Sequence, residues 1–340
     1  MSAASLKPAL ARLGRGESLS AAEAEAAFGV VMDGQATPAQ IGGMLMAMRA
    51  RGETVAELTG AVTAMRRRMT RVEAPADAMD VCGTGGDGAA SLNISTAVTF
   101  VLAACGVPVA KHGNKALSSR AGAADVLAAL GVEIEPPLEA LPGILRAAGC
   151  VFLFAPRHHP ALRHAAPVRV ELGTRTLLNL TGPMANPAGV RRQIIGVYDP
   201  AWARPVAETL RELGTEAAWV LHGGGMDELV LEGENQVVAL RDGSMSEFTV
   251  TAAAAGLEPA PLALLKGGDA AHNAAALLGL LRGERGAYRD TVLLNAAAAL
   301  VVAGRAEDLR AGAARAARAL DEGAALAVLE RLKHVSNEQV

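Results

Sequence analysis

Glycine and small polar residues are concentrated between Asp80 and Thr96, where the sequence reads DVCGTGGDGAASLNIST. Glycine reaches positive φ without a steric clash and lets a ligand approach the backbone closely. An apolar stretch follows at once, and we predict a helix from Asn93 to Cys105 that Gly106 ends. Because a helix N-terminus offers unpaired N–H donors and partial positive charge, this stretch predicts an anion-binding loop suited to phosphate.

The glycine spacing alone leaves an alternative open. Glycines at 83, 85, 86 and 88 do not form the GxGxxG pattern, and no Gly-Lys-Ser/Thr sequence closes the loop. A tight strand-to-helix turn without a ligand would use the same residue types. The polar side chains in the stretch favour the anion-binding interpretation; they are Asp87, Ser91, Asn93, Ser95 and Thr96.

A second polar cluster follows the apolar run 107–110. Its lysines, arginine and serines suit a polyphosphate, and its members are Lys111, His112, Asn114, Lys115, Ser118, Ser119 and Arg120. The loops after parallel strands meet at the carboxyl edge of a sheet, so we expect this cluster beside the glycine-rich loop. A solvated charged loop is the alternative interpretation.

The elements that position these loops change in type along the chain. The first seventy or so residues predict short helices in series, with capping boxes that begin at Ser20, Thr37 and Thr54. A Pro-containing joint at 73–77 follows. Beyond it, short apolar runs alternate with helical stretches, which predicts a parallel sheet covered by helices. The predicted strands are 79–82, 107–110, 151–155, 194–198 and 217–222, followed by a hairpin from 237–240 and 248–250 and a C-terminal helix from 308 to 332.

Composition restricts the class of protein. The 340 residues carry a formal net charge of −3, which gives no support for nucleic acid or an anionic membrane as a partner. Cys82, Cys105 and Cys150 lie in apolar stretches without CxxC spacing, which predicts reduced, buried thiols. The N-terminus has no signal-peptide core, and no apolar run reaches the ~18 residues that a membrane span needs, so we expect a cytoplasmic protein.

Several motifs follow one another in order along almost the whole chain. GTGGD precedes NIST and KHGN with a later SS, HHPALRHAAPVRVELGTRTLLNLTGPMANP occupies 158–187, and GGGMDEL occupies 223–229. The helical start contains GQATPAQIGGMLMAMRARGET, and DTVLLNAAAALVVAG lies near the end. In combination these motifs resemble the anthranilate phosphoribosyltransferases, although each motif alone would be a weak signal.

The resemblance implies transfer of the phosphoribosyl group of 5-phosphoribosyl 1-pyrophosphate (PRPP) to the amino group of anthranilate. The products would be N-(5-phosphoribosyl)anthranilate and pyrophosphate, in tryptophan biosynthesis. The implied fold is α/β, with a small all-helical domain at 1–72 that includes residues from about 170–190, and a large α/β domain at 73–340 with a mostly parallel central sheet. Mg²⁺, with a pair of ions in each site, and a homodimer formed through the helical domain are also implied.

The resemblance also assigns site residues by position. Those implied for PRPP are Gly83, Gly86, Asp87, Ser91, Asn93, Ile94, Ser95, Thr96, Lys111, His112, Gly113, Asn114, Lys115, Ala116, Leu117, Ser118, Ser119 and Ala123. Those implied for anthranilate are Gly83, Asn114 and Arg169, and a guanidinium fork suits a carboxylate. The implied metal ligands are Ser95, Asp227 and Glu228, and the implied catalytic residues are Lys111, His112, Asp227 and Glu228.

Asp227 and Glu228 also have a plainer interpretation, because a pair of adjacent acids is usually a solvated surface feature. Here the pair follows three glycines at 223–225, directly after the predicted strand 217–222. That position is at the same carboxyl edge as the other loops and favours the metal role. For His112, orientation of the acceptor and packing beside Lys111 both stay open.

The chain departs from the family pattern at three positions. Lys115 stands where the family usually has arginine, and Ala121 and Ala123 stand where it often has hydroxyl residues. We therefore expect weaker phosphate contacts and the same reaction.

Two other functions are alternatives to the transferase. A pyrimidine nucleoside phosphorylase shares the architecture, but Asp87, Arg169 and the acidic pair at 227–228 favour the transferase. A non-catalytic nucleic-acid-binding relative is disfavoured by the net charge of −3 and the intact motifs.

Overall fold

A computed structural model of the chain describes residues 5–116 and 120–338. Four helices begin it: α1 (Lys7–Leu13), α2 (Ala21–Met32), α3 (Pro38–Arg51) and α4 (Val55–Arg68). The caps of α2, α3 and α4 are Ser20, Thr37 and Thr54, and each forms the predicted capping box. In each box the cap hydroxyl accepts a helical N–H, and a Glu or Gln side chain accepts the N–H of the cap residue.

A seven-stranded sheet forms the centre of the remaining described chain. Its strands are β1 (Met79–Gly83), β2 (Val109–Gly113), β3 (Cys150–Phe154), β4 (Arg192–Gly196), β5 (Ala217–Gly223), β6 (Asn235–Arg241) and β7 (Ser244–Val250). They lie in the order β3-β2-β1-β4-β5-β6-β7, with β1 to β5 parallel and β6 and β7 antiparallel. The predicted mostly parallel sheet and the hairpin are therefore confirmed, with strand ends shifted by a few residues.

Helices accompany the sheet along the rest of the chain. They are α5 (Ile94–Ala104), α6 (Ala123–Ala129), α7 (Leu141–Ala148), α8 (Ala155–His158), α9 (Ala166–Leu172), α10 (Leu178–Met184), α11 (Ala203–Glu212), α12 (Ala270–Leu281), α13 (Ala287–Val302), α14 (Leu309–Asp321) and α15 (Ala324–Asn337). Helix α5 begins at Ile94, one residue after the predicted start at Asn93, and Gly106 with φ 78° follows its end. Most of α5 is buried, since it packs on the sheet with its Val, Phe and Leu side chains.

Alternate residues of the central strands enter two separate hydrophobic cores. Ile194 and Leu221 contribute to the core that contains α5 and α13. Ile195 and Val220 contribute to the core that contains α2, α3, α4 and α11. Because successive strand residues point to opposite faces, the sheet separates the two cores, and each face is covered by helices.

The segment 155–185 returns from the sheet to the N-terminal helices. Val168 of α9 and Leu178 and Met184 of α10 lie in one core with Met44 and Met48 of α3. Burial of these apolar side chains fixes α9 and α10 against the bundle. Polar residues between and beside the two helices are thereby held next to the carboxyl edge of the sheet.

The predicted helical structure at 308–332 is confirmed, but it is not one continuous helix. Two helices, α14 and α15, occupy this region, and Gly323 with φ 72° lies between them. A left-handed residue cannot continue a right-handed α-helix, so the chain turns at this glycine. Ala, Leu and Arg favour helix on both sides of the glycine, and the composition therefore concealed the break.

The cysteines agree with the prediction of buried thiols. Cys82, Cys105 and Cys150 are unpaired and buried. Burial raises the pKa of the Cys150 thiol to about 12, so this group is protonated at neutral pH. Separately, none of the helices in the described residues has both the length and the apolar character needed to cross a membrane.

Candidate active site

A cavity of about 310 Å³ opens at the carboxyl edge of the parallel strands. Of the site residues predicted from the sequence that the structure describes, Arg169 alone does not line it. The predicted residues in its wall are Gly83, Gly86, Asp87, Ser91, Asn93, Ile94, Ser95, Thr96, Lys111, His112, Gly113, Asn114, Lys115, Ala116, Ala123, Asp227 and Glu228. The predicted residues Leu117, Ser118 and Ser119 lie outside the described residues.

The loop after β1 has a backbone conformation that glycine adopts more easily than other residues do. Gly85, Gly86 and Gly88 have φ values of 66°, 76° and 79°. These left-handed conformations let the chain turn within a few residues from the end of β1 towards α5. The first turn of α5, from Ile94 to Thr96, forms the next part of the cavity wall. The glycine-rich loop and a helix N-terminus therefore share one side of the cavity.

Asp227 and Glu228 lie directly against this loop. The Gly85 N–H donates to Asp227 Oδ2 at 2.7 Å, and the Ser95 N–H donates to Glu228 Oε1 at 3.1 Å. A Cβ on Gly83 would lie 2.0 Å from Asp227 Oδ2, so the absence of a side chain at residue 83 admits the carboxylate. The loop at 83–96 and the acidic pair therefore form one site.

Burial changes the ionisation of the acidic pair. Burial raises the pKa of Asp227, and the nearby charge of Asp87 raises it further. Burial and the charge of Asp227 raise the pKa of Glu228 to about 8. Buried carboxylates that repel each other are stabilised when a cation neutralises them. Two carboxylates with the Ser95 hydroxyl nearby are hard oxygen ligands, so this set of residues fits Mg²⁺.

The acidic pair would supply only part of a coordination shell. Within residues 5–116 and 120–338, no three His, Cys, Asp or Glu side chains are grouped so that they could hold a metal ion. Mg²⁺ in proteins commonly keeps several waters and binds one or two carboxylates together with phosphate oxygens of a substrate. Asp227 and Glu228 offer the carboxylates for a shared site of that kind.

Lys111 is a buried cation in the wall of the cavity. It is 3% exposed, and its ammonium donates to Val81 O at 2.7 Å and to Ser95 Oγ at 3.2 Å. Its positive charge lowers the pKa of Glu228 and so opposes part of the effect of burial. Lys115 lines the same cavity, with Nζ 5.7 Å from the centroid of the Phe154 ring.

His112 is buried and neutral. Burial and the neighbouring His159 and His158 hold its pKa well below the usual range. Its Nδ1 lies 3.2 Å from the Gly182 carbonyl oxygen, and a carbonyl only accepts, so Nδ1 carries the proton. Nε2 is then an acceptor, and it has no hydrogen-bond partner among the described residues. This nitrogen is itself buried, so its lone pair is unpaired among the described residues and does not face the open cavity.

Arg169 lies on α9, outside the set of residues that line the cavity. Burial lowers the pKa of its guanidinium, and no carboxylate of the described chain forms an ion pair with it. Two other residues of the same segment, Arg175 and Asn179, do line the cavity. The guanidinium carbon of Arg175 lies 3.9 Å from the centroid of the Tyr198 ring, an arrangement that stabilises a cation.

Sequence reasoning did not single out Arg175, Asn179 or Tyr198. Arg175 and Asn179 lie within the quoted motif at 158–187, in which only Arg169 was assigned a role. Tyr198 comes two residues after the end of β4, a parallel strand that ends at the same edge. The rule that ligands bind beyond the carboxyl ends of parallel strands was a signal for Tyr198.

A helical bundle joined to an α/β domain, with a glycine-rich loop and an acidic pair at one sheet edge, defines a glycosyl transferase. The sequence profile of the glycosyl transferase family helical bundle domain matches residues 7–69. The profile of the α/β domain of the same family matches residues 75–326.

Individual relatives narrow this class. The anthranilate phosphoribosyltransferase of Brucella suis is 56% identical over 336 residues, which cover 99% of each chain. The solved anthranilate phosphoribosyltransferase of Thermus thermophilus has a TM-score of 0.92 and 44% identity, over 97% of this chain and 99% of that one. The Saccharomyces cerevisiae enzyme, solved with PRPP and Mg, has a TM-score of 0.90 and 25% identity over 99% of both chains. The chain belongs to the anthranilate phosphoribosyltransferase family, which confirms the family and the enzyme class predicted from the sequence.

Proposed function

We propose that this chain transfers the phosphoribosyl group of PRPP to the amino group of anthranilate, with release of pyrophosphate, as a step of tryptophan biosynthesis. The contact between the glycine-rich loop and the buried acidic pair supports this most directly. Such a cavity can hold a phosphate on N–H donors and a cation on the adjacent carboxylates. The membership of the family and the yeast relative solved with PRPP and Mg support the same reaction.

PRPP would lie along the loop at 83–96, with its pyrophosphate near Lys111 and Lys115. The helix N-terminus and the loop N–H groups favour negative charge at this position. Asp227, Glu228 and Ser95 would hold Mg²⁺. The ion would neutralise negative charge on the pyrophosphate as it departs. The number of ions that we propose is two, since adjacent carboxylates on a loop can serve two cations.

Anthranilate would lie between this wall and the segment 155–185. Arg169 is the residue that we assign to the anthranilate carboxylate, with Asn114 and Gly83 beside the ring. A partly buried guanidinium without a carboxylate partner in the described chain is ready to bind an anionic substrate. Because Arg169 does not line the cavity, we propose that movement of the helical segment towards the sheet completes the site.

The chemistry needs little acid or base catalysis. An aromatic amine is neutral near pH 7 and carries a lone pair. Its nitrogen forms a bond to ribose C1 while the bond from C1 to the pyrophosphate oxygen breaks, and the amine then loses one proton. His112 lines the cavity as a neutral ring and would help to position the acceptor. We propose catalysis by positioning and charge stabilisation, with no nucleophilic residue and no covalent intermediate.

We also propose a homodimer through the helical domain, which comprises residues 1–72 and residues from about 170–190. Val170 on α9 is 81% exposed, and Met46 on α3 is 36% exposed. The two helices pack against each other, and each carries an exposed apolar side chain that a second chain would cover. Sedimentation of the full chain tests the proposal: a particle of twice the 34.7 kDa chain mass is expected, and a monomer would contradict it.

One assay tests the proposed reaction. The purified chain is mixed with Mg²⁺, PRPP and anthranilate, and the loss of anthranilate fluorescence is followed. We expect a loss that requires PRPP and that a chelator of Mg²⁺ prevents. A chain that leaves anthranilate unchanged, or that cleaves a pyrimidine nucleoside with inorganic phosphate instead, would refute the proposed function.

A further inference from the structure

The side chain of Asn93 is held in an unusual way at the wall of the cavity. Asn93 is the residue before α5, but its side chain makes no capping hydrogen bond to the helix. Asparagine in this position ordinarily accepts an N–H of the first turn. Instead, Asn93 Oδ1 accepts a hydrogen bond from Asn273 Nδ2 at 2.8 Å. Asn93 Nδ2 makes a longer contact of 3.4 Å with the Ala121 carbonyl oxygen, on the cavity side.

The hydrogen bonds of Asn273 determine which end of its side-chain amide is the oxygen and which is the nitrogen. This residue is 1% exposed on α12, outside the residues that line the cavity. Its Oδ1 accepts the N–H of Gly268 at 2.8 Å. A backbone N–H can only donate, so this contact fixes which end of the Asn273 amide is the oxygen. The other end is then the donor to Asn93 Oδ1, and the Asn93 NH₂ group points in the opposite direction, towards the cavity.

The backbone around Asn93 is fixed by the same part of the chain. The Tyr288 hydroxyl donates to the Asn93 carbonyl oxygen at 3.1 Å. The Gly267 N–H donates to the Ala90 carbonyl oxygen at 2.8 Å. A Cβ on Gly267 would lie 2.5 Å from the Ser91 carbonyl oxygen, so this close approach requires glycine. The loop and the side chain of Asn93 are therefore both held by residues 267–288.

We propose that Asn273 is a positioning residue that orients the Asn93 amide so that its NH₂ group faces the anionic ligand. This proposal rests on the proposed function, in which that ligand is PRPP. The phosphate and hydroxyl oxygens of PRPP accept hydrogen bonds, so an NH₂ group stabilises them. With the amide reversed, a carbonyl oxygen would face an anion, and binding would weaken. Asn273 does not touch PRPP and acts through Asn93.

Substitution Asn273→Asp tests this orientation. A carboxylate still accepts the Gly268 N–H, but it cannot donate to Asn93 Oδ1. The Asn93 amide is then expected to rotate and donate its NH₂ group to the new carboxylate. We expect the KM for PRPP to rise about tenfold to hundredfold, the effect of one unfavourable hydrogen-bonding group at a charged ligand. The KM for anthranilate is expected to stay at its wild-type value.

Two controls separate orientation from other effects. His272→Asp places the same new charge on the neighbouring exposed residue of α12 and is expected to leave the KM for PRPP within about twofold. In an Asn93→Ala background, Asn273→Asp is expected to add little to the KM for PRPP, because the group on which it acts is gone. Thermal unfolding of each variant shows whether it is folded. Asn273→Ala, which adds no charge, replaces Asn273→Asp if the latter does not fold.

The outcomes are distinct. A rise in the KM for PRPP that disappears in the Asn93→Ala background supports the proposal. An unchanged KM for PRPP in a folded variant, or an equal rise with and without Asn93, would overturn it. A wild-type chain that does not use PRPP would refute the proposed function itself, before any variant is compared.

Discussion

The two walls of the cavity differ in how their polar groups are paired. On the sheet side, polar groups bind one another, as where the Ser95 N–H donates to Glu228 at 3.1 Å. On the helical side, no carboxylate of the described residues pairs with Arg169 or Arg175, and Arg175 lies over the Tyr198 ring at 3.9 Å. The polar groups of the sheet side are therefore fixed in place before any substrate binds. The helical side instead has cations that are free to form ion pairs with an anionic substrate.

This difference predicts different consequences for substitutions on the two walls. A preorganised wall acts on the transition state, because its groups need no rearrangement as charge develops. A wall with unpaired cations contributes mainly to substrate binding and to closure of the site. Changes at the acidic pair of the sheet side should therefore lower kcat, and changes on the helical side should raise the KM for anthranilate.

Asp227→Asn is expected to have the largest effect. The amide keeps the shape and can no longer neutralise a cation, so we expect kcat to fall about a hundredfold to a thousandfold. Steady-state kinetics over a range of Mg²⁺ concentrations measures this, with circular dichroism as the check on folding. Wild-type kinetics in a folded variant would remove Asp227 from the metal site.

Gly83→Ala tests the close approach between the loop and the acid. The new Cβ would lie 2.0 Å from Asp227 Oδ2, so Asp227 must move, and we expect kcat/KM for PRPP to fall about tenfold or more. Gly143→Ala is the matched control, since a Cβ at this exposed glycine of α7 meets no atom within 4 Å. Equal activity of the two variants would show that the contact at residue 83 is unimportant.

Arg169→Ala tests the helical wall. Loss of a charged hydrogen-bonding group is expected to raise the KM for anthranilate about tenfold, with a smaller change in the KM for PRPP. Arg163→Ala changes an arginine of the same segment that lies outside the cavity wall, and it is expected to leave both constants unchanged. If Arg169→Ala instead raised the KM for PRPP alone, the assignment of anthranilate to this wall would be wrong.

Glu228→Gln tests the thermal stability of the protein without ligands, and its effect is expected to be the smallest of the four. Folding raises the Glu228 pKa from 4.5 to about 8, so the protonated form stabilises the fold at low pH, and this stability is lost as pH rises through about 8. Glutamine stays neutral, so at pH 9 the free variant should unfold a few degrees above the wild type, and the gap should close towards pH 5. Thermal unfolding without ligands measures this, and parallel pH curves for the two proteins would contradict a raised pKa of Glu228.

Much of the sheet wall was predictable because its signals are local. The glycine loop, the start of α5 directly after Asn93 and the capping boxes each depend on residues within one short stretch. The place of the loops followed from the rule that parallel strands end at one edge. The contact of the Gly85 N–H with Asp227, across 142 positions of the chain, needed the folded structure.

The other features of the site could not be predicted from short motifs, because they depend on packing between segments that are distant in the sequence. Arg175 and Tyr198 meet because two segments pack together, and no short motif records that. Asn273 reaches Asn93 across 180 positions, and no motif quoted from the sequence includes it. The break at Gly323 was missed because glycine within an alanine-rich stretch is a weak signal when its φ is unknown.

The central claim is that the loop at 83–96 and the acidic pair at 227–228 hold one diphosphate and its cation. A crystal structure of the chain with PRPP and Mn²⁺, whose anomalous scattering locates the cation, tests it most directly. The account predicts the pyrophosphate against the N–H groups of the loop, with the anomalous peak at the carboxylates of Asp227 and Glu228. A cation bound away from both acids, or a pyrophosphate outside the loop, would contradict it.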